Sequence, residues 1–212
     1  MHATLTVSRH FMNHALIFID LIEDYFDRGI WPDSDLPDRR SELMAAANEL
    51  SRICRARGVP VVWIRQEFSA DFSDAFLHAR RAGTRYAIAG TPGAALAAGL
   101  EARPDEAVLT KKRFSAFFGT GLNELLVDLQ ATTVILAGIT TAWCVRSTAV
   151  DAYQCDFEVI LATDCMAAFD EASHRASLTA MDGYIATCMT NAEVADRLDL
   201  LHRIQGAAAR EG

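Results

Sequence analysis

Six short apolar runs alternate along the chain with longer stretches whose apolar residues recur at helical spacing. The runs are His14–Asp20, Val59–Ile64, Glu106–Thr110, Val134–Ala137, Phe157–Ala162 and Tyr184–Met189. Their continuous apolar character suits strands buried on both faces, as in a parallel sheet. Between them, Leu43, Ala47, Leu50, Ile53 and Cys54 mark one face of a helix over about Ser41–Arg57, stopped by Gly58. Leu122, Leu125, Leu126 and Leu129 mark a second over Gly121–Leu129. A third starts near Ala142, with Val145, Ala149, Ala152 and Tyr153 on one face. A fourth spans Glu171–Met181, and a last one opens at Asn191 with Val194, Ala195, Leu198, Leu201 and Ile204 as its stripe. Leu21–Asp27 reads as a helical turn or loop. Arg28–Arg40, with Gly29, Pro32 and Pro37, reads as a loop. Gln66–Leu100 is the least regular part, with a turn at Gly90-Thr-Pro-Gly93 leading into a short helix over Ala94–Leu100. Strands alternating with helices predict one α/β domain over residues 13–205, a six-stranded parallel sheet with helices on both faces. Residues 1–12 read as a leader or disordered segment ahead of it.

Composition narrows the class. The 212 residues carry a net charge of −8 with acidic and basic positions interleaved, which argues against a nucleic-acid surface. No apolar run approaches the roughly 20 residues of a membrane span, and no secretory h-region stands at the start. Five cysteines at wide spacing, without a CxxC pair, suggest neither a disulfide framework nor a zinc site. A cytoplasmic location fits best.

In a parallel sheet the ligand site lies at the carboxyl ends of the strands. Three chemically able residues are predicted there: Asp20 after the first strand, Lys111 after the third and Cys144 beyond the fourth. Each has an ordinary reading too. Asp20 suits a loop cap, Lys111 beside Lys112 and Arg113 suits a solvated lysine, and Cys144 suits a small buried residue. Together they suit nucleophilic catalysis. Cys144 falls in the first turn of a helix, where free N–H groups and the helix dipole favour a thiolate. Lys111 would lower the thiol pKa further, and Asp20 would accept the thiol proton and return it to a leaving amine. The N–H of Cys144 and one from the Ile139–Thr141 turn would hold an oxyanion. Phe26, Gln66, Phe117, Ile139 and Trp143, with Thr140, are the candidates for contacts to a small planar amide. Asp71, Asp74 and His78 could share a helix face, as metal ligands or, better supported, as a solvated surface.

Three stretches carry a resemblance. Ala15-Leu-Ile-Phe-Ile-Asp20, Lys111-Lys-Arg-Phe-Ser-Ala-Phe-Phe-Gly-Thr-Gly-Leu122 and Gly138-Ile-Thr-Thr-Ala-Trp-Cys-Val145 are followed by Thr148-Ala-Val-Asp-Ala152 and Asp164. Taken together they resemble the isochorismatase-like cysteine hydrolase superfamily over about residues 13–195. The resemblance implies a Rossmann-like three-layer fold. It implies a triad of Asp20 as acid/base, Lys111 rather than Lys112, and Cys144 as nucleophile. It also implies a cis peptide at Ile139–Thr140 that turns the Thr140 N–H into the oxyanion hole, and homo-oligomers, dimeric or tetrameric. Nicotinamidases of the superfamily carry Asp-x-His…His metal ligands after the second strand. Arg65-Gln-Glu-Phe-Ser69 stands there in this chain, so neither metal nor other cofactor is expected. Ile22 and Glu23 replace a Gln and Asn common in the family. The expectation is a cysteine hydrolase cleaving an amide, ureide or carbamoyl C–N bond of a small molecule. The alternatives are vinyl-ether hydrolysis by Asp20, as in isochorismatases proper, and a non-catalytic homologue that binds a metabolite or a partner.

Overall fold

The computed structural model describes residues 13–208; the segment expected as a leader, residues 1–12, lies outside the described residues. The strands are β1 His14–Ile19, β2 Val61–Gln66, β3 Ala107–Lys111, β4 Thr133–Ile139, β5 Glu158–Ala167 and β6 Thr187–Met189. The helices are α1 Leu36–Arg55, α2 Leu77–Ala82, α3 Leu122–Asp128, α4 Arg146–Gln154, α5 Glu171–Met181 and α6 Asn191–Ala208. All strand pairs are parallel, in the order β3-β2-β1-β4-β5-β6. Among the described residues no helix is long and apolar enough to cross a membrane.

Successive strand residues point to opposite faces, so the sheet has two cores. Leu16, Phe18, Trp63, Ile135 and Ile160 pack with Leu43 and Leu50 of α1 and Val194 and Leu198 of α6. Ile17, Ile19, Ile64, Leu136 and Leu161 pack with Leu122 and Leu126 of α3, Ala149 and Ala152 of α4 and Met181 of α5. The strand order reverses at the β1/β4 boundary, and the crevice between the carboxyl ends of β1 and β4 is the topological switch point where α/β sheets bind ligands.

Several boundaries differ from the sequence reading, each for a local reason. α1 begins at Leu36, inside the segment expected to be loop. Pro37 stands in its first turn, where a missing N–H leaves no helical bond unmade. β2 starts after Pro60, which has no N–H for the ladder but whose carbonyl accepts from Leu16 N–H at 2.9 Å. The expected helix at Ala94–Leu100 is absent; a single 3-10 turn at Pro92–Ala94 precedes extended chain, and Ala97 N–H donates to Leu21 O at 2.9 Å. Gly183–Ile185 forms a turn, closed by Ala186 N–H donating to Met181 O at 3.1 Å, so β6 is short. Gly138 does not break β4. The strand runs through it at φ +110° to Ile139, with a register shift against β5, which itself extends to Ala167. Nor do Asp71, Asp74 and His78 share a helix face. Only His78 is helical, in α2, and the two aspartates lie in the turns before it.

Candidate active site

The three strand-end residues converge at the switch point. Asp20 leaves β1 with left-handed backbone at φ +57°. Lys111 is the last residue of β3, and its buried side chain reaches under β2 to place Nζ 2.6 Å from Asp20 Oδ2. The same ammonium donates to Cys144 Sγ at 3.4 Å and to Arg113 O at 3.1 Å. The Cys144 thiol and the Gln66 N–H also favour the ionised form of the Asp20 carboxyl. Cys144 sits in a single π-helical turn, Thr141–Val145, that follows the cis Ile139–Thr140 peptide and runs into α4. Thr140 O accepts from both Trp143 N–H and Val145 N–H at 3.1 Å. Thr148 Oγ1 donates to Cys144 O at 2.7 Å and accepts Ala116 N–H at 3.0 Å, tying the loop after β3 to this turn. On the other side His174 Nδ1 lies 2.8 Å from Thr141 Oγ1.

Burial, more than neighbouring charge, sets the direction of the shifts at Asp20 and Cys144. The side chains of Asp20 and Lys111 are wholly shielded from solvent. Desolvation pushes the Cys144 thiol up to about 12, although Lys111 pulls it down. The lowered thiol pKa expected from the helix start and the lysine is not the net result: Lys111 acts in the expected direction, and loss of water outweighs it. Desolvation likewise holds the Asp20 carboxyl above its usual range against the opposing Lys111 charge. Burial disfavours the Lys111 ammonium, but the charges of Asp20 and Cys144 outweigh that and raise its pKa. The geometry is a buried Lys111–Asp20 pair at 2.6 Å with the Cys144 sulfur 3.4 Å from the lysine nitrogen.

Above Cys144 opens a cavity of ≈ 440 Å³, lined by Tyr25, Trp31, His78, Tyr86, Phe114, Thr140, Trp143 and Phe169. Of the residues expected to touch substrate, Trp143 and Thr140 lie on it. The others are placed elsewhere. Phe26 is buried beneath the Arg40 guanidinium, 5.5 Å from its ring centroid, and borders a separate acidic cleft. Gln66 is fully buried behind the wall, where its Oε1 accepts the Tyr25 hydroxyl at 2.7 Å. Phe117 packs on Phe157 in the α3/α4 core, and Ile139 is buried on the α1 side. The sequence reading missed Tyr25, Trp31, Tyr86, Phe114 and Phe169. All lie in loops or turns between elements, where apolar periodicity carries no signal. Aromatic residues that no helical or strand stripe can absorb were the available clue.

The isochorismatase domain family model matches residues 14–193. The chain belongs to the isochorismatase family. Within it, the chain is 30% identical to the maleamate amidohydrolase of Pseudomonas putida over 189 residues, 87% of this chain and 86% of that protein. An isochorismatase family protein from Desulfovibrio vulgaris superposes with a TM-score of 0.79 at 31% identity, covering 89% of this chain and 99% of the other. The N-carbamoylsarcosine amidase of Thermoplasma acidophilum superposes at 0.70 with 25% identity, covering 85% and 97%. In this isochorismatase-family hydrolase the carboxylates after β2 serve the loop. Asp71 Oδ1 accepts from Ser69 Oγ and from Ser73 N–H and Oγ, and Asp74 pairs with Lys112. Among the described residues no group of three His, Cys, Asp or Glu side chains is placed to hold a metal ion.

Proposed function

We propose that this protein is a metal-independent cysteine amidohydrolase that cleaves an amide, ureide or carbamoyl C–N bond of a small molecule. The observation that carries the reading is the joint contact of Lys111 Nζ with Asp20 Oδ2 at 2.6 Å and Cys144 Sγ at 3.4 Å, beneath an open cavity. The names of the maleamate amidohydrolase and N-carbamoylsarcosine amidase relatives support the same bond class.

The neutral thiol defines the first step. As Sγ bonds to the substrate carbonyl carbon, its proton passes to the Asp20 carboxylate. Lys111 stabilises the developing thiolate, and the N–H groups of Thr140 and Cys144 hold the carbonyl oxygen as it becomes an oxyanion. The C–N bond then breaks, Asp20 returns the proton to the departing nitrogen, and an acyl thioester remains on Cys144. Asp20, again a carboxylate, takes a proton from water as the water oxygen attacks the thioester. The C–S bond breaks, and Asp20 reprotonates the sulfur. All five cysteines are free thiols, in keeping with a reducing cytoplasm. Exposed Val127, Tyr153 and Tyr184 support assembly into a dimer or tetramer.

The test is intact-protein mass spectrometry after brief exposure to a panel of small amides and ureides. A substrate should add its acyl mass to Cys144. Turnover with no adduct at any quench time, including in variants slowed at deacylation, would remove the thioester. A pH profile adds an independent check. Asp20 must be ionised to accept the thiol proton, and burial raises its pKa. The acid limb of kcat/KM should therefore lie above the ordinary aspartate value of about 3.9, activity falling as pH drops through the raised pKa. A limb at or below that value would assign the base elsewhere.

A further inference from the structure

The cavity over Cys144 is lined almost wholly by aromatic rings. On one side Phe76 and Phe114 stack at 4.5 Å, and Phe114 meets Trp143 at 5.5 Å. On the other Trp31 packs against Phe169 at 4.9 Å, Tyr86 at 5.1 Å and Tyr25 at 6.0 Å. Two of the polar side chains there are engaged within the protein, while Thr140 Oγ1 has no hydrogen-bond partner. The Tyr25 hydroxyl donates to Gln66 Oε1 at 2.7 Å, and Trp31 Nε1 donates to Asp24 O at 2.9 Å.

Among the described residues no lysine or arginine lines the cavity. Lys111 lies beneath it with its charge matched by Asp20. The Arg113 guanidinium sits over the Phe76 ring at 5.5 Å and donates to the carbonyls of Asp74 and Lys112. Among the described residues, His78, exposed and stacked on Phe76, is the one lining side chain of a basic type. A carboxylate entering between these walls would lose its water without gaining a counter-charge. A flat apolar group would instead gain ring contacts on both sides.

Building on the hydrolase reading above, we propose that the substrate is an uncharged amide with a planar, apolar acyl group, and that the cavity discriminates against amides bearing a carboxylate. Trp31, Tyr86, Phe114, Trp143 and Phe169 are the specificity-determining residues.

Three probes of one shape separate the possibilities: benzamide, 4-carboxybenzamide and 4-(aminomethyl)benzamide. Binding is followed by quenching of tryptophan fluorescence, since Trp31 and Trp143 line the cavity, and turnover by ammonia release. All three probes are assayed at the same fixed pH. Benzamide should bind at least about tenfold more tightly than the carboxylate probe, with kcat/KM following the same order. Phe169→Arg should narrow that gap at least about fivefold. His78→Arg, at an exposed position, tests the same reversal should the first variant fold poorly. Equal or tighter binding of 4-carboxybenzamide, preference for the cationic probe, or no binding of benzamide would each overturn the inference. Selective binding of benzamide without ammonia release or a Cys144 adduct from any probe would uphold the cavity's selectivity and refute the hydrolase reading instead.

Discussion

Under the proposed mechanism, Cys144→Ala is expected to lower kcat/KM on an amide substrate by more than about 1,000-fold, because the variant lacks the atom that would form the thioester. It should fold normally. The substitution removes one buried sulfur but leaves the Lys111–Asp20 pair at 2.6 Å in place, so no charge is stranded in the core. A loss of stability of about 1–2 kcal/mol is the expected scale for so small a deletion. This sets Cys144 apart from its two partners. Removing either Lys111 or Asp20 leaves an uncompensated buried charge, with a typical loss of about 3–5 kcal/mol, and then activity and folding fail together. The measurement is steady-state turnover beside a thermal melt of the same preparation. Wild-type activity in Cys144→Ala would end the covalent mechanism. Survival of vinyl-ether hydrolysis alone in Cys144→Ala would favour the Asp20-only chemistry.

Gly138→Ala should be the most damaging single methyl in the protein. A Cβ at this position would lie 2.1 Å from Ile19 O, 2.7 Å from Ile19 N and 2.9 Å from Ile19 C. These are backbone atoms of the paired strand, so no side-chain rotation relieves the clash. Gly138 also holds φ at +110°, a conformation that side-chain-bearing residues avoid. The expected loss is at least about 3 kcal/mol, or roughly 6–12 °C in Tm for a chain of this size. Activity should fall as well, since Ile19 immediately precedes Asp20 and Gly138 stands two residues before Thr140. Gly121→Ala is the control. Its Cβ would meet nothing within 4 Å, and its φ is −91°, so a change within about 0.5 kcal/mol is expected. A Gly138→Ala protein melting within 2 °C of wild type, a threshold well below the expected roughly 6–12 °C, would show that the β1–β4 seam can spread.

Much of the architecture was legible because strand and helix periods are local properties. Ala15–Ile19, Val134–Ala137 and Val159–Ala162 are apolar on both faces, which only a doubly covered strand accommodates. The stretch Glu171–Met181 carried its own boundaries, with Asp170 capping the Ser173 N–H at 2.8 Å. Boundaries went astray where a single residue type admits two structures. Pro37 looked like a loop residue and stands in a helical first turn. Gly138 looked like a strand end and instead lets β4 pass close to Ile19.

The candidate site divides along the same line. Asp20, Lys111 and Cys144 were recognisable because each stands at the end of a local element, and the sheet topology brings such ends to one edge. The aromatic walls were not recognisable. Trp31, Tyr86 and Phe169 come from three loops far apart in the chain, and nothing local says that they meet. The protonation state was not legible either. Sequence showed a lysine and a helix start near the thiol, both favouring a thiolate. Only the folded chain shows how completely water is excluded from Cys144, and desolvation reverses that balance. Sequence alone determined which chemical groups stand at the strand ends, because local periodicity sets where each element stops. Tertiary structure decided their charge state and what surrounds the substrate, because burial and long-range packing depend on which distant segments close over the site.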